Sequence, residues 1–200
     1  MCHSGVGLTP VIDGRVHHFS AGGLYDGLVL LIDDETGTYW DHIRGEAVYG
    51  PIAGEHLARW AVTMTNAAAA LADHPDLQLA RSRPAMRVWL MGRLYRLVMR
   101  KKGFLPPGFR KTMGEMDDRL PHMTHGLGVV HDGEARFYPM AAIDTGLNDS
   151  WGGRIVHISI GERDHIPSAH WENGERPFQL FTRWYGFAYT YPGCTIGGTT

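Results

Sequence analysis

The chain has 200 residues, enough for one domain or for two small lobes sharing a core. Hydrophobic residues make up 44% of it, and 26 Gly with 11 Pro favour short strands and tight turns over a helical bundle. A net charge of −2 excludes any overall pull on nucleic acid or an anionic membrane, and no apolar run reaches the ~18 residues of an ordinary transmembrane helix.

In chain order, residues 6–12 and 15–20 are extended runs flanking Asp13-Gly14, a strong hairpin signal. Residues 28–32 (LVLLI) are short and wholly apolar, as a central strand would be. The stretch 36–57, TGTYWDHIRGEAVYGPIAGEHL, reads as a run at 38–43, a turn at Arg44-Gly45-Glu46, a second run at 47–49 and an exit enforced by Gly50-Pro51. Residues 57–64 fit a further strand. The alanine-rich residues 66–72 are helical and stop at His74-Pro75, and 77–80 fit a short strand.

Residues 83–102, from Arg83 to Lys102, are the one long helix candidate, with Pro84 in the first turn and Gly103 at the end. Between Arg81 and Lys111 there are ten Arg or Lys and no Asp or Glu, against nine basic and 21 acidic residues elsewhere. Beyond the Pro106-Pro107 linker the chain returns to β. A hairpin at 127–130 and 135–138 turns on Asp132-Gly133, a helical turn follows at 139–143, and 148–153 reads as a loop. Residues 154–160 (RIVHISI) alternate as a strand, and 178–191 form a long aromatic strand or strand pair broken near Gly186.

The fold class that follows is α+β, mainly β, with antiparallel sheets built from short hairpins and one inserted basic helix. A single domain over 1–200 is expected, with a first β unit at 1–80, the basic helix and linker at 81–111, and a second β unit at 112–200. The two Asp-Gly hairpins, and Arg59-Trp60 beside Arg183-Trp184, suggest a duplicated β unit.

Twelve histidines are an excess for this length, and six lie between His122 and His170. Cys2-His3 places a thiol, an imidazole and a nearby α-amine together, a set suited to copper or zinc. His122 and His125, with Met123 between, share a face on a helical turn and point apart on a strand. Cys194, in a turn after the last strand, could join Cys2 and these histidines. His157 belongs to one face of its strand, His17-His18 straddle the two faces of a hairpin, and His165 and His170 fall in a polar loop. Asp33-Asp34-Glu35 reads as a solvated turn. No phosphate loop, dinucleotide fingerprint or serine-hydrolase elbow is present.

Cys2 and Ser4, Asp33, Thr36, Thr38 and Trp40, then Gly45, Ala47, Gly50, Pro51, Ile52, Gly54 and Leu57, stand in a specific order. Asp118-Arg119-Leu120-Pro121, Gly133-Glu134-Ala135, Tyr138-Pro139, Asn148-Asp149, Gly152-Gly153, Trp184 and Pro192 continue it. In this the chain resembles the bacterial family catalogued as domain of unknown function 3179. The resemblance implies a mixed, mainly β fold and no activity; the family opens with Cys-x-x-Cys, and Cys2 stands where the second cysteine falls. The basic helix looks like an insertion in that pattern.

The expected function is a metal-binding protein acting on a small molecule, a redox metalloenzyme with copper first and zinc second. Its ligands are Cys2, His3, His122 and His125, with Cys194 as a fifth candidate, and Cys2 and His125 are the catalytic candidates. A second reading is a non-catalytic module docking a membrane surface or a protein through the basic amphipathic helix 83–102. A third is thiol redox chemistry at Cys2. Nucleic acid is not an expected partner. A cytoplasmic location is expected, since no basic region and apolar core mark the N-terminus.

Overall fold

Three Asp-Gly pairs set the hairpins. Asp13, Asp26 and Asp132 have φ of 48, 49 and 48°, and Gly14, Gly27 and Gly133 follow at 76, 69 and 80°. Two successive left-handed residues give a turn whose twist matches that of paired strands. The protein is described here from a computed structural model covering residues 5–78, 86, 89–93 and 107–198.

The first half holds β1 (Val6–Leu8), β2 (Val11–Ile12), β3 (Arg15–Val16), β4 (Phe19–Tyr25), β5 (Leu28–Asp33), β6 (Tyr39–Asp41), β7 (Ala47–Tyr49), β8 (Arg59–Ala61) and α1 (Ala67–Asp73). Strands β4-β5-β6-β7 form an antiparallel sheet in that order, β1 pairs with β8, and β2 with β3. The apolar run 28–32 is thus the inner strand β5, as its composition implies. Helix α1 starts where Asn66 Oδ1 accepts from the Ala69 amide and ends at His74 before Pro75.

The second half holds α2 (Pro107–Arg110), β9 (His125–His131), β10 (Glu134–Pro139), α3 (Met140–Ile143), β11 (Leu147–Trp151), β12 (Arg154–Ile160), β13 (Pro167–Trp171), β14 (Phe178–Arg183), α4 (Trp184–Thr190) and β15 (Thr195–Ile196). One sheet runs β14-β9-β10-β15, with β15 parallel to β10, and another runs β11-β12-β13. The molecule is therefore β-rich, with several small, mainly antiparallel sheets and few helices.

Three readings are corrected. Residues 147–151 are strand β11, which turns through Gly152-Gly153 into β12. The sequence N-D-S hides the strand because its inward polar residue, Asp149, has its own partners. His170 lies on strand β13 rather than in a loop, opposite His157. The aromatic stretch 178–191 is one strand followed by helix α4, not a strand pair. Trp184 and Phe187, three residues apart, are buried on one face with the half-buried Tyr191 just past the helix end, and this packing overrides the strand preference of aromatic residues. Phe187 lies against the bare backbone of Gly128 on β9, where any added Cβ would overlap its ring.

The core spans both halves. Leu28 and Ile43 join Val130, Phe137, Leu180, Trp184, Tyr185, Phe187 and Cys194 in one buried cluster. A second cluster lies between the β9/β10 pair and the β11-β12-β13 sheet, and a third surrounds Trp40. Of residues 83–102, positions 86 and 89–93 are helical, and the remainder of the predicted basic helix lies outside the described residues. Among the described residues, no helix is long and apolar enough to cross a membrane.

Candidate functional site

The stretch 33–57 is a hydrogen-bonded corner. Asp33, at the end of β5, is fully buried and yet has partners on both oxygens. Its Oδ2 accepts from Trp40 Nε1 at 2.9 Å and from the Thr36 hydroxyl at 2.7 Å. Its Oδ1 accepts from the Thr36 amide at 2.7 Å. The Thr38 hydroxyl lies 2.6 Å from that of Thr36 and continues the network. Burial raises the pKa of Asp33, but the bonds from Thr36, Trp40 and His17 outweigh it, and the carboxyl rests below its ordinary value.

Downstream, Asp41 Oδ1 accepts from the Ile43 and Arg44 amides, and Leu57 N donates to Gly45 O. Gly50, at φ 130°, lies so close to Thr38 that a Cβ would fall 2.7 Å from its Cα. The Thr-x-Thr-x-Trp and Gly-Pro motifs therefore build and lock this corner.

On Asp33 the corner meets a histidine. His17 is buried, and its Nδ1 lies 3.4 Å from Asp33 Oδ1 and 3.8 Å from Glu35 Oε2. His18, on the outer face, places its Nδ1 2.6 Å from Glu35 Oε1, while its amide donates to Glu35 Oε2 at 2.8 Å. This pairing holds the Glu35 carboxyl below its ordinary pKa and raises that of His18. Asp33 Oδ2 is fixed by Trp40 and Thr36, so Oδ1 is left turned towards His17. Among the described residues, His17, Asp33 and Glu35 are the one group of three ligand-type side chains whose donor atoms all lie within 4.8 Å of one another.

The predicted ligands are placed differently. Cys2 and His3 lie outside the described residues. His122 precedes β9, with its Nε2 2.8 Å from Asp118 Oδ1. His125 is the first residue of β9 and meets the Phe181 ring edge-on at 5.6 Å. Cys194 is buried in the core cluster, and burial pushes its thiol pKa up despite nearby Arg119, which donates to the Cys194 carbonyl at 2.9 Å. His122, His125 and Cys194 do not come together as a group of three.

The solvated-turn reading of Asp33 is corrected by its complete burial. The signal that could have found the cluster was the Asp26-Gly27 hairpin, extended outwards until the 17–18 run meets 34–35. A bulge between Ala21 and Gly23 shifts that pairing by one residue, giving Phe19 opposite Asp33. Asp34 N then donates to His18 O.

A second carboxylate is held in a comparable way. Asp149 Oδ2 accepts from Arg136 Nη1 at 2.6 Å and from the Tyr138 hydroxyl at 2.8 Å. Burial raises its pKa, the two donors more than offset that, and the net shift is downward.

The family model described as "Protein of unknown function (DUF3179)" matches residues 1–170 of the chain. Comparison with curated proteins and with solved structures gives no match.

Proposed function

The chain belongs to the DUF3179 family, and from the geometry of its own side chains we propose that it binds a divalent metal ion at His17, Asp33 and Glu35. The supporting observation is the spacing. A separation of 3.4 Å between His17 Nδ1 and Asp33 Oδ1 is long for a hydrogen bond, as is 3.8 Å to Glu35 Oε2. Ligand atoms about 2.0–2.1 Å from a tetrahedral ion lie about 3.3–3.4 Å apart, so an ion fits where a shared proton fits poorly.

The donor set is one nitrogen and two carboxylate oxygens. Without sulfur it disfavours copper(I), and zinc, which takes imidazole and carboxylate ligands, is the ion proposed here. Trp40 and Thr36 on Asp33, and His18 on Glu35, are outer partners of the kind that orient metal ligands. Three protein ligands leave a coordination position open, and a zinc ion there would supply a Lewis acid to a small molecule.

Equilibrium dialysis of untagged full-length protein against zinc, followed by metal analysis, tests the reading. About one zinc per chain is expected in the wild type, with affinity weakened at least about 10-fold in His17→Ala and Glu35→Gln. Glu35 is partly exposed, so the second variant does not depend on core packing. Less than about a fifth of an equivalent bound by the wild type, or unchanged affinity in both variants, would overturn it.

A further inference from the structure

A cleft of about 710 Å3 opens between β8, the β9-β10 turn, the start of β12 and the end of β13, and it shares no residue with the proposed metal site. Three arginines line it, one from each of three distant parts of the chain: Arg59, Arg154 and Arg176. Arg59 and Arg176 have no carboxylate partner among the described residues, and Arg154 has only a long one. The Arg59 guanidinium lies 4.4 Å over the Phe178 ring and donates to the Tyr191 hydroxyl at 2.9 Å. That of Arg154 lies 4.3 Å over Trp171. Arg176 donates to the Thr63 hydroxyl at 3.2 Å.

Two acids share the lining, and neither reaches an arginine at hydrogen-bond distance. Glu175, 72% exposed, comes only within 3.9 Å of Arg154 and accepts from Asn173 at 2.8 Å. Asp132, 86% exposed, lies 3.2 Å from His131. Among the described residues, none of the three arginines has a carboxylate oxygen at hydrogen-bond distance.

Stacking a guanidinium on an aromatic ring fixes its plane and leaves its edge N–H groups free to donate. The Tyr191 hydroxyl oxygen accepts from Arg59, so its own proton is available to a further acceptor. Burial raises the pKa of that hydroxyl, and it stays protonated at neutral pH. The cleft thus presents donors from three cations, two of them stacked on rings, and one neutral hydroxyl, with Phe178 and the buried Pro177 as its apolar wall. One carboxylate would occupy a single guanidinium fork; a phosphate dianion has oxygens for several.

We propose that this cleft binds a small organic phosphate bearing a flat ring, the class of aryl and nucleoside monophosphates. The phosphate is held by Arg59, Arg154 and Arg176, and the ring lies along Phe178 and the open faces of the guanidiniums.

Calorimetric titration of the full-length protein with phenyl phosphate tests this, with inorganic phosphate, phenol and benzoate as comparison probes. Saturable binding of phenyl phosphate is expected, weaker at higher salt and at least about 10-fold weaker in Arg154→Gln and in Arg176→Gln. Arg176 is exposed and, among the described residues, its side chain bonds to Thr63 alone, so its loss reports on binding rather than folding. Arg163→Gln, outside the cleft, should bind as the wild type does. Absence of saturation, wild-type affinity in Arg176→Gln, or inorganic phosphate or benzoate binding as tightly as phenyl phosphate would overturn the proposal.

Discussion

Two carboxylates, the buried Asp33 and the half-buried Asp149, are each held ionised by several donors. Asp149 gives the cleaner test because it lies away from the proposed ligands. Its folded pKa is below the ordinary 3.8. The stability it contributes is therefore complete above that value and is lost as the pH falls through the lower folded value. Asp149→Asn should lower stability at neutral pH by about 1–3 kcal/mol, since Arg136 and Tyr138 lose a charged acceptor. Below about pH 4 the variant should lose stability less steeply than the wild type. Urea unfolding followed over that range checks both parts, and parallel curves would show that Asp149 is not the group concerned. At the same scale, Trp40→Phe removes the Nε1 bond to Asp33 and shrinks a fully buried side chain, and should cost at least about 1–3 kcal/mol in the same assay.

Contacts between elements decide where the chain can and cannot change. Strand β9 is buried along nearly its whole length and is crossed at Gly128 by Phe187 of α4. Gly128→Ala should destabilise by about 1–3 kcal/mol, through overpacking and not through backbone angle. Adding Phe187→Leu should recover part of that loss, giving a coupling of at least about 0.5 kcal/mol in a double-mutant cycle. Strict additivity would show that the ring is not what the glycine accommodates. Elements set by local chemistry were legible in the sequence. The Asp13-Gly14 and Asp132-Gly133 turns, α1 between Asn66 and His74, strands β7 and β12, and the helical turn α3 all follow from turn, cap and periodicity signals. Strand β11 and helix α4 were not. In β11 the inward, half-buried Asp149 breaks the apolar alternation and is satisfied from β10; in α4 aromatic residues that favour strands are made helical by the core they fill.

Across the whole molecule, the side chains of the two candidate sites are brought together by pairings that no local pattern displays. The family signature of residues 33–57 was readable as an order of residue types, and it proves to be the corner that holds Asp33. The partner of Asp33 was not readable, because the register that carries His17 to it depends on the bulge between Ala21 and Gly23 in β4. The arginine cleft is less legible still, since Arg59, Arg154 and Arg176 are each held by contacts distant in sequence, and Arg176, Phe178 and Tyr191 lie beyond the matched residues 1–170. Zinc X-ray absorption on the untagged, zinc-loaded protein addresses the metal reading most directly, because it separates the His17–Asp33–Glu35 set from one built on Cys2 or Cys194. A zinc ion held by His17, Asp33 and Glu35 gives nitrogen and oxygen scatterers alone at about 2.0–2.1 Å. A sulfur scatterer at about 2.3 Å would place the metal on cysteine and contradict this assignment.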